Sequence, residues 1–173
     1  FGYSMGALAA FEAARLLRAR HGTVPAKLLV GACRDPRAVH DKVRRHDLPL
    51  PQLVVELQKL NGTPPEILDD PEALECFLPA LRADFEVVET YSYRPEAPLA
   101  CPIRVFGGFE DEVSPAELAL WERETSGGFS MEMLEGDHFF IQQSSARLLQ
   151  LVARELSAAE EPEQALAGAG IAG

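Results

Sequence analysis

Hydrophobic positions change rhythm along the chain. In ALAAFEAARLLRAR (7–20) alanine and leucine dominate, and Ala9, Ala10, Ala13 and Ala14 are small enough to let a helix lie close against a sheet. Gly22 and Pro25 end that helix. KLLVGAC (27–33) is instead an unbroken apolar run of strand length, the pattern of a parallel strand covered on both faces. PIRVFGG (102–108) and FSMEMLEG (129–136) read as two further strands. Between them Ser114 is placed as a helix N-cap, with Pro115 at the first helical position and Glu117 completing a capping box. SSARLLQLVARELS (144–157) is an amphipathic closing helix. Strands alternating with helices predict an α/β fold: a mostly parallel sheet with helices on both faces.

The middle third breaks the alternation. From about residue 35 to 93 no convincing strand is found, only helical patterns such as PQLVVELQKL (51–60) and DPEALECFLPALRADFEVVETY (70–91). Asp70 caps the second, Pro71 opens it, and Pro79 within it predicts a kink or a division. A helical insertion between strands of such a sheet is expected to form a lid over the site. The last residues, 157–173, are poor in bulky apolar side chains and rich in Ala, Gly and Glu, so a disordered tail is expected after one domain over 1–156.

Composition narrows the function. A net charge of −11 argues against nucleic acid or an anionic membrane as partner, because both demand a basic face. One stretch, RDPRAVHDKVRRH, is locally positive through Arg34, Arg37, Lys42, Arg44 and Arg45 against Asp35 and Asp41. It reads either as a solvated face or as a docking patch for an anionic partner. No apolar run approaches the roughly 20 residues that span a bilayer, and no signal-peptide pattern opens the chain, so a cytoplasmic protein is expected. Cys33, Cys76 and Cys101 are widely spaced and without a CxxC; neither a zinc site nor a disulfide framework is suggested, and all three are expected to be buried small hydrophobes.

The chemistry starts at GYSMG (2–6), a match to GxSxG, in which a serine is held on a sharp strand-to-helix turn and side chains at the flanking glycines would collide with neighbouring backbone. About one random chain of this length in twenty contains such a match, but here the required helix follows at once. Its start would set backbone N–H groups, Met5 first, and a positive dipole end beside Ser4. A serine needs a base, and the base an orienting acid. His21 lies about 25 Å down the same helix and is excluded; His40 and His46 fall in the insertion among basic residues. His138, in LEGDHFFI, follows a strand at the carboxyl edge of the sheet, the edge that carries Ser4. The acid should come from another strand end between the two, and VFGGFEDEVSP supplies Glu110, Asp111 and Glu112, of which Asp111 is taken.

FGYSMGALAAFEAARLL, LPALRADFEVVETYSYRP, CPIRVFGGFEDEVSPAELALWERETSG and LEGDHFFI together resemble the type II thioesterases of nonribosomal peptide and polyketide synthesis, over residues 1–156. The resemblance implies an α/β-hydrolase fold with Ser4 as nucleophile, Asp111 as orienting acid, His138 as general base and Met5 N–H as oxyanion donor. It implies hydrolysis of acyl or peptidyl thioesters on the phosphopantetheine arm of carrier proteins, with no cofactor and no metal; a monomer is expected. Leu57, Leu60, Phe77, Leu78, Leu81 and Phe85 would then roof an acyl pocket. Tyr3 stands where that family usually has histidine, a departure that activity is expected to survive. The family also has early strands and an oxyanion loop before the elbow, so this is expected to be the C-terminal part of a longer enzyme. Two alternatives stay open: another esterase or a type I thioesterase domain with the same triad, and a noncatalytic module that binds carrier protein.

Overall fold

The computed structural model describes residues 1–38 and 44–167, the last of these as backbone only beyond 157. His40, Asp41 and Lys42 of the basic stretch lie outside the described residues.

Continuous apolar runs become parallel strands. β1 (Gly2–Tyr3), β2 (Leu28–Gly31), β3 (Ile103–Gly108) and β4 (Phe129–Leu134) lie side by side in that order, every neighbouring pair parallel. The period-two alternation of the strands sorts their side chains to two faces. Leu28, Val30, Ile103 and Val105 point to one, where they pack with Ala7, Leu8, Phe11 and Ala14 of helix α1 (Met5–His21) and with Leu118 and Trp121. Leu29, Phe106 and Leu134 point to the other and meet Phe140, Leu148 and Leu151.

Local signals fix most element ends. Gly22 closes α1 in the left-handed conformation. Between β2 and β3 the chain forms α2 (Leu50–Leu60), α3 (Pro65–Leu68) and α4 (Pro71–Glu89), with 3-10 turns at Pro36–Ala38 and Arg45–Asp47; no strand occurs there among the described residues. Asp70 caps α4 by accepting from the N–H groups of Glu72 and Ala73. The Ser114–Glu117 capping box opens α5 (Pro115–Ala119) in full. Bonds from Ser114, and then the Arg34 guanidinium, pull the Glu117 carboxyl down to about 2. Short α6 (Phe140–Gln143) and long α7 (Ser145–Ala167) complete the fold.

The expected division of the helix at Pro79 is corrected: a single α4 runs from Pro71 to Glu89. Pro79 and Glu75, whose carbonyl loses its helical partner, are both exposed, so solvent can reach the freed group. Cys33 and Cys101 are buried as expected, whereas Cys76 is exposed on the outer face of α4.

The elbow glycines differ in kind. A Cβ on Gly2 would sit 2.2 Å from the Gly6 carbonyl oxygen, whereas a Cβ on Gly6 would meet nothing within 4 Å. The expected collision therefore holds for Gly2 and not for Gly6. Gly2→Ala should cost about 3 kcal/mol or more, because backbone must move. Gly6→Ala should hold or raise stability by about 0.5 kcal/mol through helix propensity. Urea unfolding of the two variants, read by circular dichroism, checks both signs.

Candidate active site

Each of the three expected side chains leaves the sheet at its carboxyl edge. Ser4 sits between β1 and α1 with φ 52° and ψ −122°. A non-glycine residue there costs about 1–3 kcal/mol, which the surroundings must hold; the Ser4 N–H bonded to the Gly31 carbonyl at 2.8 Å is one such restraint. Asp111 follows β3, and His138 follows β4. The loops carrying them are tied together by backbone bonds: Phe109 N–H donates to the Leu134 carbonyl at 2.9 Å and Glu110 N–H to the Gly136 carbonyl at 3.0 Å. Where they cross, a Cβ on Gly108 would lie 2.4 Å from the Gly136 oxygen, so glycine is required.

The contacts form one line. His138 Nε2 lies 3.0 Å from Ser4 Oγ. Its Nδ1 lies 3.2 and 3.3 Å from the two Asp111 oxygens. The Asp111 side chain is 2% exposed and also accepts from the Val113 N–H at 3.2 Å. Asp137, although adjacent to the histidine, is used otherwise. Its carboxylate accepts from the Phe139 N–H at 2.7 Å and from the Asn61 amide at 3.2 Å. Those bonds, the backbone one foremost, hold its carboxyl below the usual range. Met5 is the first residue of α1, where a helix leaves N–H groups without intrahelical acceptors.

Beside Ser4 opens a cavity of about 450 Å³, within the range of small-molecule sites. Met5, Gly6 and Leu8 line it from the elbow and α1; Leu57, Leu60, Leu81, Phe85 and Val88 line it from the insertion. Four of the expected roof residues are thus in place, while Phe77 and Leu78 are not among the lining side chains and Phe77 is 51% exposed. Both stand about one turn N-terminal of Leu81 on α4. Cys33 also lines the cavity, but burial pushes its thiol up to about 12, so it is no competing nucleophile.

The described arginines of the basic stretch are engaged in ion pairs within the chain. Arg34 pairs with Glu117 at 2.9 Å and Arg37 with Glu124 at 2.5 Å. Arg45 is buried, approaches Glu56 at 3.5 Å and lines the cavity. Arg44, 67% exposed, pairs with Asp47. His46 faces the buried Glu89 and not Ser4. Asp35 is fully buried and held by Arg123. None of these partners is close in sequence to its mate except Asp47, which is why a charge pattern alone could not show them. Among the described residues no cluster of three or more His, Cys, Asp or Glu side chains is arranged to hold a metal ion, and no helix is long and apolar enough to cross a membrane.

A serine on a strained strand-to-helix turn, an acid after one parallel strand and a histidine after the next define the α/β-hydrolase architecture. Within it, the chain belongs to the thioesterase domain family, whose model matches residues 1–158. It is 42% identical over 142 residues to thioesterase PikA5 of Streptomyces venezuelae, covering 82% of this chain and 50% of that protein. Over 156 residues it is 40% identical to the gramicidin S biosynthesis protein GrsT of Aneurinibacillus migulanus, covering 90% and 61%. The solved type II thioesterase BorB, from the borrelidin biosynthetic cluster, superposes with a TM-score of 0.81 at 37% identity, covering 90% of this chain and 64% of that one. The chain thus spans between half and two thirds of the length of these relatives.

Proposed function

We propose that this chain carries the catalytic centre of a serine thioesterase that hydrolyses acyl or peptidyl thioesters from the phosphopantetheine arms of carrier proteins in secondary-metabolite synthesis. The observation that carries the reading is the single imidazole reaching Ser4 Oγ on one side and a buried carboxylate on the other. Membership of the thioesterase family, and relatives named for gramicidin S and borrelidin biosynthesis, support the substrate class.

His138 Nε2 takes the Ser4 proton as Oγ attacks the thioester carbonyl, and Asp111 stabilises the imidazolium and holds its tautomer. Met5 N–H, at the positive end of α1, donates to the developing oxyanion. Collapse of the tetrahedral adduct breaks the C–S bond, and His138 returns the proton to the leaving thiolate. Water then enters; His138 removes its proton as it attacks the acyl-serine, and the acid departs while Ser4 regains its hydrogen. The apolar wall from the insertion shelters the acyl chain without contributing to the bond changes.

A thioester on a carrier-bound pantetheine should be cleaved at least tenfold faster in kcat/KM than the oxygen ester of the same acyl group. Equal rates on the two would favour a general esterase.

A further inference from the structure

Building on the hydrolase reading of Ser4, the geometry points to Tyr3 as a positioning residue for the base: its hydroxyl sets the shape of the turn that presents His138. Tyr3 is the last residue of β1 and the immediate neighbour of Ser4. Its side chain does not lie along the sheet. It crosses to the start of α6, where the hydroxyl donates to the carbonyl oxygen of His138 itself and faces the Ile141 N–H. Residues 138 and 141 are a turn apart, and in a closed turn their carbonyl and N–H would bond to each other. Here the phenol takes the carbonyl.

The ring that carries this oxygen is held. It packs edge-on against Phe140 with centroids 5.2 Å apart and against the His138 imidazole at 6.0 Å. On its other side a Cβ on Gly31 would come within 2.9 Å of the ring, so β2 leaves room for tyrosine by offering none of its own. Burial, with the charges of Asp111 and Asp137 adding to it, keeps the phenol protonated well above its ordinary range. The donor is therefore present at every working pH.

Consequently the elbow reaches the base twice: through the Ser4 Oγ contact that reacts, and through the Tyr3 hydroxyl that does not. Without the oxygen, the 138–141 turn closes on itself or leaves the His138 carbonyl unpaired, and either response moves the imidazole. A displacement of about 1 Å costs on the order of 100-fold in rate.

Tyr3→Phe removes only the oxygen. It should lower kcat for a pantetheine thioester by about 10- to 100-fold while leaving KM within about twofold, because the ring that lines the cavity is kept. A role exercised through His138 should also shrink when the imidazole is already misheld, so Tyr3→Phe should cost less than about threefold in an Asp111→Asn background. Wild-type kcat in Tyr3→Phe, with Ser4→Ala inactive, overturns the positioning role and leaves the hydrolase reading standing. An equal loss in both backgrounds overturns it too, since the effect would then bypass the base. Undiminished hydrolysis in Ser4→Ala removes the hydrolase reading itself, and the Tyr3 assignment with it.

Discussion

Ser4→Ala should abolish thioester hydrolysis, lowering kcat by about 10⁴- to 10⁶-fold while the protein folds as before. The size follows from the role: with no nucleophile, His138 and the helix N-terminus are left to act on water alone, and a residual rate from oxyanion binding is all that remains. Folding is spared because the hydroxyl's side-chain contact is with His138, itself part of the same site, and because alanine suffers the same φ of 52° that serine already tolerates. Steady-state hydrolysis of a carrier-bound thioester, with a thermal midpoint within a few degrees of the wild type, checks both halves. A noncatalytic carrier-binding module would show no turnover in the wild type either, and hydrolysis left unchanged in Ser4→Ala would falsify the nucleophile assignment.

Asp111→Asn is expected to lower kcat by about 10²- to 10⁴-fold with KM nearly unchanged. The carboxylate is buried and faces Nδ1 of His138, so the proton sits on Nδ1 and Nε2 is free to accept from Ser4. An asparagine of the same shape can turn its NH2 toward Nδ1. The proton then moves to Nε2, where it faces Oγ and blocks the very transfer the base must make. Val113 N–H can still donate to the amide oxygen, so the loop keeps its form. Glu110→Gln, on an exposed neighbour whose backbone and not its carboxylate makes the inter-loop bond, should remain within about twofold. Single-turnover measurements on the three proteins separate acylation from substrate binding.

Much of this was legible in the residues because the relevant signals are local. Strand runs, the Asp70 and Ser114 caps and the glycine at position 22 each act within a few residues, and each appears in the structure where the pattern put it. Ser4, Asp111 and His138 are far apart in the chain, but a parallel sheet brings all its strand ends to one edge, so topology did the work that distance could not. What escaped was side-chain pairing across long separations. Arg37 finds Glu124 at 87 residues' distance and Arg123 finds Asp35 at 88; in sequence they look like solvent charges. Tyr3 meeting the carbonyl of residue 138 belongs to the same class. Phe77 and Leu78 failed as roof residues for a related reason: apolar character marks a surface to be covered, not which cavity it lines.

Those two long-range ion pairs also have a bearing on how such a protein can diversify. Asp35 and Arg37 stand where the helical insertion leaves the sheet, and Tyr93, which donates to Glu124, stands where it returns. Both stumps are thereby bolted to the 3-10 turn at Leu120–Glu124. Ser4, Asp111 and His138 all stand on the sheet side of those bolts, so the stretch between them could change in length and lining while the three stay in register.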